Sequence, residues 1–105
     1  MNQNDTDAPT IRFTLGEVVI TPAAQAVCPP DRVVELLQRH LRGDWGCLSA
    51  DDREANTAAV DAGDRLLSAY AIDPAAPSKG HGANTLWVIT EADRSVTTIL
   101  LPQDY

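Results

Sequence analysis

The side chains with chemical capacity are few and scattered. The chain has two histidines, His40 and His81, and two cysteines, Cys28 and Cys47. Arg39 and Arg42 flank His40, a setting in which an imidazole can serve as a general base beside cations. The plainer reading is a partly exposed helical histidine with no role. Arg94 follows Glu91 and Asp93 at what reads as a hairpin tip. A small RNase or hydrolase would draw on His40 and Arg94, and it would need both within hydrogen-bond reach of one substrate. His81 lies in Lys79-Gly80-His81-Gly82, where glycines permit unusual backbone angles. The strand, Gly-rich turn and helix of a phosphate loop do not follow one another there. No Ser or Cys sits in a nucleophile elbow. The histidines and cysteines lack zinc spacing, and Asp51-Asp52-Arg53-Glu54 lacks the alternating ligands of a calcium loop. No metal and no cofactor is expected.

Charge carries more information than these groups do. Eight basic and fifteen acidic side chains give a net charge of −7. That balance opposes direct binding to nucleic acid or to anionic membrane, because affinity for phosphates rests on Lys and Arg. Between Asp44 and Asp64, six acids (Asp44, Asp51, Asp52, Glu54, Asp61, Asp64) meet the single Arg53, so this segment holds −5 of the total. These acids, with Trp45, are the expected partner-binding residues. Taken singly, each acid reads as part of a solvated helix face. Trp45, between Asp44 and Gly46, reads first as a wedge closing the core from a tight turn. An exposed anchor for a partner is the second reading.

These residues need elements to hold them. The 105-residue length suits one domain. Residues 1–10 read as a flexible leader and 11–105 as a single α+β domain. Ile11, Phe13 and Leu15 alternate with Arg12 and Thr14, which predicts a strand, and Val18-Val19-Ile20 predicts a second after a turn at Gly16. Ala23–Pro30 is either a helical turn or a loop. Asp31 reads as the N-cap of a helix to about Arg42, with Val33, Val34, Leu37 and Leu41 on one face and Leu36 at its edge. Ser49 opens a second helix with a hydroxyl–acid capping pattern, and Ala55, Ala59, Ala62 and Leu66 fall on one narrow face. Leu66–Ile72, Thr85–Thr90 and Ser95–Leu101 read as strands, the last two as a hairpin. The order β-β-α-α-β-β-β predicts an antiparallel sheet of four or five strands with both helices on one face.

Cys28 and Cys47 read as reduced thiols behaving as small apolar residues, with a single bridge as the alternative. The first residues carry no basic region followed by an apolar run, and no apolar stretch is long enough to span a bilayer. A cytoplasmic location is expected.

At Gly43-Asp44-Trp45-Gly46, and from Trp87 through Ser95 and Thr97 to Pro102, the chain resembles the short plasmid-related proteins of bacterial plasmids and other mobile elements. The likeness also takes in Phe13, Leu15-Gly16, Thr21-Pro22, His40, Asn56 and Leu67-Ser68-Ala69-Tyr70. It spans Phe13 to Tyr105. The chain departs from that family in its leader and in the Asp73–Asn84 loop, where a short Asp-Gly-type turn is usual. The resemblance implies a mobile-element protein without established chemistry. With the acidic patch, the expectation is a non-enzymatic binding module whose partner is a host protein complex. It would inhibit that complex in an anti-CRISPR or anti-restriction manner by occupying a basic nucleic-acid-binding surface. A regulatory homodimer using an exposed sheet edge is a further alternative.

Overall fold

The computed structural model describes residues 13–105 and is α+β. The elements run β1 (Glu17–Ile20), α1 (Pro22–Val27), α2 (Pro30–Leu41), α3 (Ala50–Ala62), β2 (Leu66–Ala71), β3 (Thr85–Thr90) and β4 (Val96–Leu100), with a closing 3-10 turn at Pro102–Asp104. The expected leader, together with Ile11 and Arg12 of the expected first strand, lies outside the described residues. Phe13, Thr14 and Leu15 form no strand. Phe13 instead turns its ring into the core, where it is 8% exposed.

The sheet has four strands in the order β1-β4-β3-β2. β2 pairs with β3 and β3 with β4 in antiparallel fashion, as expected for the C-terminal half. β1 departs from that expectation. It pairs parallel to β4, with Glu17 opposite Val96 and Ile20 opposite Ile99, so the sheet is mixed. The close approach of Gly16 explains this. Its φ is +64°, and a Cβ there would lie 2.3 Å from the Ser95 carbonyl oxygen. Gly16 thus starts β1 beside the start of β4, and both strands must run the same way.

Three helices replace the expected two. Thr21-Pro22 ends β1 but also begins α1, because the Thr21 hydroxyl accepts from the Ala24 N–H and Pro22 occupies the first turn. α2 begins one residue before the expected cap, with Pro29 in the cap position, Pro30 following it and Asp31 inside the first turn. Its buried face is also rotated from the expected one. Leu36 and His40 are fully buried and Val34 is 54% exposed. In α3 the buried pair is Asn56 and Ala59, while Ala55 and Ala62 face solvent. Neither helix centres its buried face on its most apolar stripe, because each turns a polar side chain (His40 or Asn56) toward the sheet.

The main core lies between α1, α2 and one sheet face, where Ala24, Cys28 and Leu36 meet Tyr70, Leu86, Val88 and Ile99. A second cluster of Phe13, Trp45, Ala59 and Leu66 fills the space by α3. The long Asp73–Asn84 connection is held by Asn84, whose amide donates to the carbonyls of Asp73, Ala76 and Pro77. Trp87 fixes its far end by donating to the Gly80 carbonyl at 2.9 Å. Among the described residues, no helix is long and apolar enough to cross a membrane.

Candidate functional site

His40 is the polar centre of the molecule. It is the penultimate residue of α2, and it is fully buried rather than partly exposed as expected. Phe13 and Trp45 meet its ring edge-to-face, with centroids 5.4 and 5.6 Å away. Its two ring nitrogens reach hydroxyls on neighbouring strands: Nδ1 lies 2.5 Å from Ser68 Oγ on β2, and Nε2 lies 2.9 Å from Thr90 Oγ1 on β3.

The protons of this network follow from its far end. The Thr97 hydroxyl donates to the Leu15 carbonyl at 2.8 Å. With that proton committed, Thr90 donates to Thr97 across 2.7 Å. Thr90 therefore accepts from His40 Nε2–H, and the bare Nδ1 accepts from the Ser68 hydroxyl. This assignment needs a neutral imidazole. Burial, and secondarily the Arg94 charge, pull the His40 pKa down from 6.5 to about 4, so the ring is neutral at pH 7. The result is one directed chain from β2 through α2, β3 and β4 to the segment leading into β1.

Arg94, at the hairpin tip with φ +61°, sits on the other side of the same cluster. Its guanidinium carbon lies 5.7 Å from the Phe13 ring centre. Nη1 donates to the carbonyls of Asp64 (2.6 Å) and Glu91 (3.2 Å), and Nη2 donates to that of Ala59 (3.2 Å). A cation on the last carbonyls of α3 suits the negative end of the helix dipole. The structure thus brings His40 and Arg94 onto one aromatic ring, but it commits both ring nitrogens of His40 and both terminal nitrogens of Arg94 to internal partners. Ser68 hydrogen-bonded to a histidine nitrogen has the look of a nucleophile and its base. Both side chains have no solvent exposure, so no substrate atom reaches that hydroxyl in this conformation.

The Gly43–Gly46 turn belongs to this centre. Trp45 is 4% exposed and donates from Nε1 to Thr57 Oγ1 at 3.1 Å, so it closes the core. Asp44 pairs with Arg39 at 2.7 Å, and that contact holds its carboxyl below the usual carboxylate range. The Asp44 carbonyl accepts the Tyr70 hydroxyl at 2.6 Å. Burial pushes the Tyr70 phenol well above its usual range.

The other expected partner-binding residues stand apart from this centre. Asp51, Asp52, Glu54, Asp61 and Asp64 are all exposed, on α3 and the turn after it. On a 100° helical wheel, Glu54 and Asp61 point away from the buried Asn56 and Ala59. His81 is exposed in the Asp73–Asn84 connection. Cys28 and Cys47 are free thiols, and burial raises the Cys28 pKa. Among the described residues, no three His, Cys, Asp or Glu side chains converge as metal ligands.

Sequence reasoning missed Ser68, Thr90, Thr97 and Asn56. A signal for the first three was present. On strands of period two, Ser68 shares a parity with Leu66 and Tyr70, Thr90 with Leu86 and Val88, and Thr97 with Ile99. Polar residues at inward positions imply a buried polar partner on the facing helix. Compared with protein-family models, curated proteins and solved structures, the chain matches none of them.

Proposed function

We propose that this chain is a non-enzymatic protein-binding module of a mobile genetic element. It presents the acidic surface of α3 to a basic, nucleic-acid-binding surface of a host defence complex. The observation that carries the reading is a separation of charge from chemistry. The imidazole and guanidinium that a hydrolase would need are tied into the fold, and Asp51, Asp52, Glu54, Asp61 and Asp64 are each exposed on α3 or the turn after it. Glu54 and Asp61 lie seven residues apart on one side of α3, about 10 Å along its axis at 1.5 Å per residue. A row of carboxylates on that scale can occupy a Lys/Arg-lined channel built for phosphates. The resemblance to plasmid-related proteins supports the mobile-element setting.

The test is affinity capture from host lysate after nuclease treatment, using the parent and a variant carrying Asp51→Asn, Glu54→Gln, Asp61→Asn and Asp64→Asn. The parent should retain one stoichiometric complex that weakens steeply with added salt. The variant, with unchanged circular dichroism, should lose it. Equal capture by both proteins would remove the acidic surface from the interaction.

A further inference from the structure

The outer edge of β2 is closed at every alternate residue. Asn56 donates to the Leu67 carbonyl at 2.5 Å and accepts from the Leu67 N–H at 3.3 Å. The Ala69 N–H donates to the Trp45 carbonyl at 3.2 Å, and the Ala69 carbonyl accepts from the Cys47 N–H at 2.6 Å. The Ala71 carbonyl accepts from Arg32 Nη2 at 2.8 Å.

β1, the opposite edge, has none of this. The N–H groups of Glu17 and Thr21 donate to Ser95 and Ile99 of the β4 side. In a parallel ladder the bonding residues alternate, so Val18 and Ile20 turn their N–H and C=O groups away from the sheet. Among the described residues nothing bonds to them. Of the devices that blunt an edge, β1 has two, its shortness and the charge of Glu17, but Glu17-Val18-Val19-Ile20 contains no lysine, proline or bulge. Val18 is 43% exposed and Val19 39%. Beside them, Ile20, Cys28, Val33 and Val34 line an open groove of about 250 Å³.

We infer that β1 is the docking strand for a second copy of this chain, the two β1 strands pairing antiparallel about a twofold axis through Val19. The register makes the edge complementary to itself. With Val19 opposite Val19 of the other copy, Val18 and Ile20 of each chain fall opposite Ile20 and Val18 of the other. These are the two residues with outward groups, and each pair exchanges two N–H···O bonds. A one-residue slip would set outward groups against inward ones. In this register Glu17 faces Thr21 of the other copy, not a second carboxylate, so the pairing adds no like-charge opposition along the strand. The valines gain cover on both faces: Val19 meets its counterpart across the twofold, and Val18 lies beside Ile20 of the other copy at the groove. The interface is isologous and joins two four-stranded sheets into one of eight. It is small, of the class that associates weakly, with a Kd of roughly 10 µM to 1 mM. The acidic surface of α3 lies by β2, so the inference stands or falls independently of the proposed partner.

Sedimentation equilibrium of the full chain, run up to about 1 mM, tests it, with amide exchange of Val18 and Ile20 followed by NMR over the same range. The parent should form dimers, with both amides exchanging more slowly as concentration rises. Val18→Pro removes an outward N–H without taking a bond from β4, and it should leave a folded monomer. Val19→Lys sets two ammonium groups opposite each other at the twofold and should weaken association at least roughly tenfold. A parent that stays monomeric at the highest concentration would overturn the inference. So would dimers that persist unchanged in both variants, since the contact would then lie elsewhere. Monomers with both amides already protected would also overturn it, and would show that the chain covers its own edge.

Discussion

The two edges of the sheet have been treated in opposite ways. At β2, an asparagine, a turn backbone and an arginine engage the outward groups of Leu67, Ala69 and Ala71. At β1, the outward groups of Val18 and Ile20 have no partner among the described residues. Both edges begin from the same chemistry, a row of backbone groups that costs free energy if buried unpaired. What differs is the surrounding chain. β2 is flanked by α2, the Gly43–Gly46 turn and α3, all contributed by the segment just before it. β1 precedes those elements, and among the described residues its only strand neighbour, β4, lies on its inner side. One edge therefore carries internal stability, and the other makes no such bonds among the described residues.

The largest effect is expected where the closed edge is tightest. Gly46 has φ +77°, and a Cβ there would stand 2.0 Å from the Ala69 carbonyl oxygen and 2.7 Å from the Tyr70 ring. Gly46→Ala must push the turn off β2 and should cost about 3 kcal/mol or more in urea denaturation. A loss under 1 kcal/mol would mean that the turn is not tied to the edge as described.

Acid should act on a similar scale by a different route. The unfolded chain takes up a proton on His40 near pH 6.5, whereas the folded chain refuses it until about pH 4. Between those values the unfolded state binds more protons, so stability is complete above pH 6.5 and is lost as pH falls through the window. The loss should approach about 3 kcal/mol. Because the hydroxyl chain runs from β2 to Leu15, it ties the closed edge to the segment leading into the open one. His40→Gln should flatten the slope between pH 6.5 and 4, and a slope that survived the substitution would assign it to other groups.

Asn56→Ala leaves both the N–H and the carbonyl of Leu67 without their side-chain partner. It should cost about 2 kcal/mol and speed exchange of the Leu67 amide. Arg32→Leu should cost less, about 1 kcal/mol. Arg32 gives one bond to Ala71, but its buried Nε has no partner among the described residues, so removing it also relieves a desolvation cost. At the other edge, Val18→Thr should change the monomer's stability by no more than about 0.5 kcal/mol. A larger loss there would show that β1 is not the undemanding edge this comparison makes it.

Much of the architecture was legible. β2, β3 and β4 follow from period-two patterns bounded by Asp73-Pro74 and the Glu91–Arg94 tip, and α2 and α3 follow from capping signals and apolar spacing. What misled was the ranking of side chains within the helices. Hydropathy alone put Val34 inside and His40 at the margin. A histidine buries well only where two strands offer hydroxyls at the right parity, and that depends on how β2, β3 and β4 lie together. The same holds for Ala55 and Asn56 in α3, where a free strand edge at Leu67 favours an amide over a methyl group.

The sequence by itself determined the class of fold, the extents of α2 and the last three strands, the start of α3, and the clustering of negative charge between Asp44 and Asp64. These follow from local propensity and from counting charge, which need no partner distant in the chain. Only the tertiary structure decided that β1 runs parallel to β4, that His40 is buried and Arg94 bonds the end of α3, and that among the described residues one sheet edge is engaged while the other is not. Each of those outcomes is a pairing between residues remote in sequence. Whether a hydroxyl, a carbonyl or a strand edge meets a partner depends on where the rest of the chain has been packed.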